Sequence, residues 1–500
     1  MKTRIHSSER EQDFSDVDRA ALIAALAAIL PPGALLHDEE DLKPYECDGL
    51  SAYRRLPLAV ALPETEAQVV AILKACHGLG APVVARGAGT GLSGGALPHA
   101  HGVVLSLAKM KRIVQLDPLA RTAVVQPGVR NLAISEAAAP FGLYYAPDPS
   151  SQIACTLGGN IAENSGGVHC LKYGLTVHNV LRIRAVTIDG EIVEFGSAAP
   201  DAPGYDLLAL MIGSEGLLAV ATEITVKLVP RPETARVAMA SFDSVEKAGA
   251  AVAEIIAAGI IPAGLEMMDK AATRAVEPFV GAGYDLDAAA ILLAESDGTP
   301  EEVEEDIAAL RAVLEKSGAT DIRVSNSEAE RLKFWAGRKA AFPAVGNISP
   351  DYYCMDGTIP RKRLAEMLTA IAAMEKKYGL RCVNVFHAGD GNLHPLILYD
   401  ANVPGELERT EAFGAEILEL TVKLGGAITG EHGVGYEKIG SMCVQFDSEE
   451  LKAFHRVKAA FDPLGLLNPD KAIPTLHRCA EFGRMHVHRG RLAHPELERF

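Results

Sequence analysis

The chain has no C-x-x-C pair. Its eight cysteines (Cys47, Cys76, Cys155, Cys170, Cys354, Cys382, Cys443 and Cys479) are scattered, which argues against an iron–sulfur cluster or a structural zinc. Reduced thiols in a cytoplasmic setting are expected instead. Positive charge is also scarce, with 48 Lys and Arg against 65 Asp and Glu and a formal net charge of −17. Nucleic acid is therefore not an expected partner, since a phosphate-binding face needs clustered bases. No stretch reaches the roughly 18 to 20 apolar residues that a membrane span requires. The apolar run of about ten residues from Ala20 follows acidic and polar residues rather than a basic patch. It reads as a surface helix capped near Ser15 or Asp16, with no signal peptide. The expected location is the cytoplasm, with membrane contact at most peripheral, at the inner face of the cell membrane, or through partners. Fixed-period repeats and low-complexity segments are lacking too, which excludes solenoids and arrays.

What is present is an ordinary globular composition, 48% hydrophobic and 23% charged over 500 residues, long enough for two or more domains. From Pro57 short β-rich runs alternate with helical ones (LAVALP, TEAQVVAILKACHGLG, PVVARG), continuing to VATEITVKLVPRP. The Pro230–Pro232 stretch predicts a domain boundary. Beyond it, helical SVEKAGAAVAEIIAAGI and EEVEEDIAALRAVLEKSG surround strand-like AAAILLAES and RCVNVFHAGDGNLHPLILYD. That order predicts an antiparallel sheet backed by helices, an α+β arrangement. The expected organisation is an N-terminal helical segment (1–52), a nucleotide-binding domain (53–232), a substrate or cap domain (233–430), a C-terminal active-site and helical return segment (431–474) and a histidine-rich tail (475–500).

Two glycine-rich segments carry the first functional signal. PVVARGAGTGLSGGA sets Gly87, Gly89, Gly91, Gly94 and Gly95 directly after a strand, where backbone N–H groups can approach an anion closely. It matches neither the dinucleotide fingerprint nor the P-loop pattern. APDPSSQIACTLGGNIAENSGGVHCLKYG, from Ala146 to Gly174, pairs glycines at 158–159 and 166–167 with Asn160 and Asn164. That run looks too small and too polar for a helix or strand core, so a ligand is expected against its backbone.

Together the two segments resemble the FAD-binding fold of the vanillyl alcohol oxidase and p-cresol methylhydroxylase type. Met211–Leu228 looks like that domain's last strand-rich element, and LLNPDK near Asn468 like the C-terminal return that reaches the flavin. The resemblance implies a two-subdomain FAD-binding domain followed by an antiparallel-sheet cap domain with a helical C-terminal return. It implies cofactor contacts at Arg86, Gly87, Gly89, Thr90, Gly91, Pro149, Ser150, Thr156, Gly158, Gly159, Asn160, Ala162, Asn164, Gly167, Ile224 and Asn468. Relatives that bond the flavin covalently through this loop carry a histidine near the position of Thr90. No histidine occurs between Arg86 and Pro98, so noncovalent FAD is expected.

The second signal is histidine and carboxylate. NVFHAGDGNLHPLIL reads as strand, turn, strand, with Ala388 to Asn392 as turn residues and with His387 and His394 able to converge on one ion. ITGEHGVGYEK adds Glu431 and His432. Two histidines and a carboxylate leave an open coordination position that suits a catalytic divalent metal, zinc first. Adjacent side chains diverge, so Glu431 goes to the metal with His387 and His394, and His432 to proton transfer. Arg338 is the candidate for pairing with a substrate carboxylate, and Trp335 reads as core. A zinc hydrolase could use the same residues but leaves both glycine segments unexplained; a noncatalytic flavoprotein scaffold leaves Arg338, Glu431 and His432 unexplained.

HAGDGNLH together with GEHG resembles the D-lactate, D-2-hydroxyglutarate and glycolate dehydrogenase branch of FAD-linked oxidases, over about Leu42 to Pro474. Within that branch PYECDGLSAYR, GGVHCLKYGLTVHN, PDYYCMDGTIP and TLHRCAEFG are most similar to the FAD-linked subunits of bacterial glycolate oxidases. This implies oxidation of a small D-2-hydroxy acid, glycolate to glyoxylate or D-lactate to pyruvate. It also implies two partners, a second FAD-domain-like subunit and an iron–sulfur subunit passing electrons to a membrane acceptor. The alternative is a D-2-hydroxy acid dehydrogenase acting alone. Leu396 and Cys354 stand where D-2-hydroxyglutarate enzymes carry Asn and Lys, which favours a monocarboxylate. The tail, with His477, His486, His488 and His494, is expected to dock on a partner.

Overall fold

The computed structural model describes residues 13–199 and 204–475, so the histidines of the tail lie outside the described residues. The first helix, Arg19–Ile29, is capped not at Ser15 or Asp16 but by Asp18, whose carboxylate accepts from the Ala20 and Ala21 amides at 2.9 and 3.1 Å. Its buried Leu22 and Leu26 share a core with Val69, Ile72 and Leu73 of helix Glu66–Gly78. That second helix is the crossover between strands Ala59–Ala61 and Val83–Arg86, which flank Val103–Ser106 in parallel. Leu35–Leu36 adds an antiparallel edge.

The opposite edge takes the far end of the chain. The Val83 amide donates to the Leu466 carbonyl and the Asn468 amide to the Val83 carbonyl, both at 2.8 Å. A second, fully antiparallel sheet has the order Ile113–Asp117, Thr122–Val125, Val220–Lys227, Val180–Val186, Ile192–Gly196.

The third sheet is antiparallel with seven strands: Asp321–Val324, Thr234–Phe242, Ala290–Gly298, Gly264–Asp269, Arg381–His387, Asn392–Tyr399, Asp351–Cys354. Its central strands are apolar on both faces because helices cover both. Leu292 and Ala294 face a core shared with helices Val245–Ala257, Pro300–Lys316, Leu364–Tyr378 and Glu406–Lys423. Ile291 and Leu293 face another, with Lys270–Val280, Glu328–Lys339 and Ala341–Val345. Trp335 is buried in that second core, its indole N–H donating to Glu295 at 2.5 Å.

The architecture is α+β as the residue pattern implies. Two details depart from expectation. The segment from Ala146 to Gly174 is not without helix: Leu157–Glu163 and Cys170–Tyr173 form short ones, because Leu157 and Ile161 bury one turn apart. Cys443 is disulfide-bonded, whereas six other cysteines are free thiols. Among the described residues no helix is long and apolar enough to cross a membrane.

Candidate active site

A cavity of about 380 Å³ opens where the loop after strand Val83–Arg86 meets the segment around helix Leu157–Glu163. Arg86, Gly87, Gly89, Thr90, Gly91, Pro149, Ser150, Thr156, Gly158, Gly159, Asn160 and Ala162 line it. The two loops approach so closely that a Cβ on Gly87 would collide with the Thr156 hydroxyl. Gly89, at φ +72°, would strike the Arg86 guanidinium, which is itself held by the Cys47 carbonyl at 2.7 Å. Only side-chain-free backbone fits there. The Thr156 hydroxyl is buried with no partner among the described residues. These features fit a large polar ligand lying along the two loops.

Four expected contacts lie outside the lining. Asn164 ends helix Leu157–Glu163 in the left-handed region, and its side chain accepts from the Val177 amide at 2.9 Å. Gly167 packs against Asp148. Ile224 sits in the core of the five-stranded sheet. Asn468 is a brace: its amide donates to the Glu215 carbonyl at 2.6 Å and the Gly95 carbonyl at 3.2 Å.

The opposite wall comes from the third sheet, its helices and the loop after helix Glu406–Lys423, through Lys339, Phe342, Pro343, His394, Glu431 and His432. In the hairpin of Arg381–His387 and Asn392–Tyr399, His387 opposes Asn392 and Val385 opposes His394. The two histidines are thus diagonal neighbours on one face, with ring centroids 4.9 Å apart and nearly perpendicular. Glu431 Oε1 lies 3.5 Å from His387 Nε2 and 3.1 Å from His394 Nε2. Ligand atoms of these three residues lie within 4.8 Å of one another, a spacing that could hold a metal ion.

The surroundings fit that use. Glu266 Oε1 sits 2.6 Å from His387 Nδ1, so the other ring nitrogen faces Glu431. Neither ring nitrogen of His394 is hydrogen-bonded among the described residues; the 3.1 Å approach to Glu431 lacks hydrogen-bond alignment. Burial alone would lower the His387 pKa, but Glu266 and Glu431 raise it well above its usual value. Burial likewise works against charge on Glu431, and His387, His394 and His432 outweigh it, holding the carboxyl well below the usual range.

His432 stacks on His394 at 4.9 Å, and its Nδ1 is buried without a partner among the described residues. Its peptide is clamped at both ends: the amide donates to Asp356 at 2.8 Å, and the carbonyl accepts from the Ser93 hydroxyl at 2.9 Å. Asp356 also accepts from the amides of Gly430 and Glu431. Burial opposes its charge, but His432, Lys438 and His394 hold its pKa far below the ordinary value.

Arg338 does not line the cavity. It is buried, with Nε bonded to Glu266 Oε2 at 2.7 Å and Nη2 lacking a partner among the described residues. The two positions that depart from the dicarboxylate pattern are one place in space, because Cys354 and Leu396 are register partners on adjacent strands.

Residue patterns alone missed Glu266, Asp356, Glu215 and Ser93. Glu215, at φ +51°, accepts from the Val434 and Gly435 amides at 2.7 and 2.6 Å, stapling the His432 turn to the wall that carries the glycine loops. The available signal was a carboxylate in apolar text, AGLEMM for Glu266 and CMDGT for Asp356, since buried charge must be paired.

Comparison with known proteins identifies the family. Residues 57–196 match the family model "FAD binding domain" and residues 231–472 match "FAD linked oxidases, C-terminal domain". The chain is 64% identical over 485 residues to the glycolate oxidase subunit GlcD of Escherichia coli (strain K12), covering 97% of each. It is 40% identical over 428 residues to the subunit of that name in Bacillus subtilis (strain 168), covering 85% of this chain and 91% of that one. Among solved structures, p-cresol methylhydroxylase with substrate bound superposes with a TM-score of 0.77 at 18% identity, over 91% of this chain and 97% of that one. That likeness is one of fold. With both family models matched and relatives at 64% and 40% identity, this chain belongs to the glycolate oxidase subunit GlcD family of FAD-linked oxidoreductases.

Proposed function

We propose that the chain oxidises a small D-2-hydroxy acid, glycolate first and D-lactate second, with noncovalently held FAD and a divalent metal, zinc first. The observation that carries this reading is that His394, Glu431 and His432 line the same cavity as the glycine loops, so proton removal and electron acceptance share one space. Bound flavin supplies a hydride acceptor. A metal ion held by His387, His394 and Glu431 supplies a Lewis acid that lowers the hydroxyl pKa.

The chain's own residues do the rest. His432, fixed at both ends of its peptide, receives the hydroxyl proton at its unpartnered Nδ1. Arg338 lies outside the cavity lining and is held by Glu266; its buried, unpartnered Nη2 keeps it the proposed partner of the substrate carboxylate. Phe342 and Pro343 exclude water from the reacting side. The paired Cys354 and Leu396 offer no cation or amide for a second carboxylate, which supports a monocarboxylate. Electrons pass onward to a second FAD-domain-like subunit and an iron–sulfur subunit. The absence of clustered cysteines and the word "subunit" in the relatives' names support that route, with the tail as a docking element.

Anaerobic flavin reduction against glycolate, D-lactate, L-lactate and D-2-hydroxyglutarate tests the reading. Bleaching by glycolate and D-lactate is expected; bleaching by the L-enantiomer alone overturns the stereochemical assignment. Acid precipitation that leaves the yellow colour in the pellet overturns noncovalent attachment. A chain ending at Pro474 that still captures both subunits overturns the role of the tail.

A further inference from the structure

Glu163 ends helix Leu157–Glu163 and lines the cavity, yet neither the glycine pattern nor the metal cluster gives it a task. Its carboxyl reaches between the two walls. A Cβ on Gly95 would meet Oε1 at 2.8 Å, and one on Gly433 would collide with Oε2. Oε2 is buried without a hydrogen-bond partner among the described residues. The nearby cation Lys438 is committed elsewhere, donating to the Gly433 carbonyl at 2.8 Å and lying 3.5 Å from both Asp356 and Glu437.

A second carboxyl lines the same wall. Glu215 has an amide donor on each oxygen, Val434 and Gly435. Two neighbouring buried carboxyls do not both stay ionised, and the charge settles on the one whose hydrogen bonds stabilise it. That one is Glu215. Burial, then Glu215, then Asp48 push the Glu163 carboxyl well above the ordinary range.

We propose that Glu163 stands in the cavity wall as a neutral carboxylic acid whose O–H donates a hydrogen bond to an acceptor atom of the flavin ring, favouring the electron-rich reduced form. The proposal rests on the FAD reading above and names a further residue for it. A fixed donor in a dry site stabilises charge that develops on its acceptor. A carboxylate there would do the reverse.

Glu163→Gln and Glu163→Ala separate these cases by sign. Glutamine keeps a neutral donor, so the midpoint potential of bound FAD is expected to stay near that of the parent protein. Alanine removes the donor, so the potential is expected to shift negative and the flavin absorption band to move. If both substitutions shift the potential positive, a negative charge has been removed and the proposal is overturned; no shift in either overturns it too. Infrared difference spectra decide the matter if a variant fails to take up flavin: the carbonyl band of a protonated carboxyl group is expected in the parent protein, with and without FAD, and not in the variants. Its absence from the parent overturns the proposal. Failure of the parent protein to bind FAD would instead sink the underlying FAD reading, and no hydroxy acid is needed for either measurement.

Discussion

Glu266 is the residue whose replacement should tell most about the site. Its two oxygens serve two different side chains, His387 Nδ1 at 2.6 Å and Arg338 Nε at 2.7 Å, and its own side chain is 1% exposed. Glu266→Gln keeps the volume and removes the charge. Leaving a buried charge without its partner costs about 3–5 kcal/mol, but the glutamine oxygen still accepts from Arg338, and a hydrogen bond to a charged group is worth about 1.5–3 kcal/mol. The expected net loss is about 2 kcal/mol, or roughly 4–8 °C in melting temperature for a domain of this size. Trp335, the single tryptophan and three residues before Arg338 on one helix, reports the unfolding by fluorescence. The amide can also present N–H to His387 Nδ1 and reverse its tautomer, so divalent-metal affinity is expected to fall about 10–100-fold. In the double variant with Arg338→Gln the losses should not add, with a coupling of about 0.5–3 kcal/mol. Melting within about 1 °C of the parent protein, together with unchanged metal affinity, would refute the idea that one carboxylate organises both side chains.

Other consequences are as direct. Stripping metal with a strong chelator, or His387→Ala, is expected to lower kcat/KM about a hundredfold or more while FAD stays bound; full turnover in chelator would remove the metal from the mechanism. Asp18→Ala is expected to cost about 1 kcal/mol through loss of the helix cap, read as a lower urea midpoint with unchanged kcat. Lys471 is buried, bonded to Asn468 Oδ1 at 2.6 Å, and burial pulls its ammonium down from 10.5 to about 7. Below about 7 both folded and unfolded chains hold this proton and the full cost of the buried charge is present. Above it only the unfolded chain does, so the stability of the parent protein relative to Lys471→Met should climb by about 1.4 kcal/mol per pH unit toward 10.5. Parallel pH profiles for the two proteins would contradict this.

Much of the architecture was legible because local chemistry dictates it. The Thr65 and Gln68 capping box and the Gly-bounded hairpin between His387 and Asn392 are written in consecutive residues. So are the glycines of the 86–95 loop, where only missing side chains allow the approach to Thr156. What could not be read is where distant segments meet. Strand Asp321–Val324 pairs beside Thr234–Phe242 rather than beside its sequence neighbours, and nothing local in either strand specifies that. The groups that orient the clustered histidines come from far away, 121 residues separating Glu266 from His387 and 76 separating Asp356 from His432. Arg338 illustrates the converse: its type suited anion recognition, but its buried bond to Glu266 was invisible without the sheet.

The brace made by Asn468 has a bearing on how the protein is born. Its amide joins the Glu215 carbonyl to the Gly95 carbonyl, 373 residues upstream, and the chain around it completes the edge beyond Val83. While the ribosome is still translating, the earlier glycine loop has no such lock, and its backbone faces water. A nascent polypeptide therefore reaches its flavin-competent shape only after the segment around Asn468 has emerged, and closing so long a loop slows maturation.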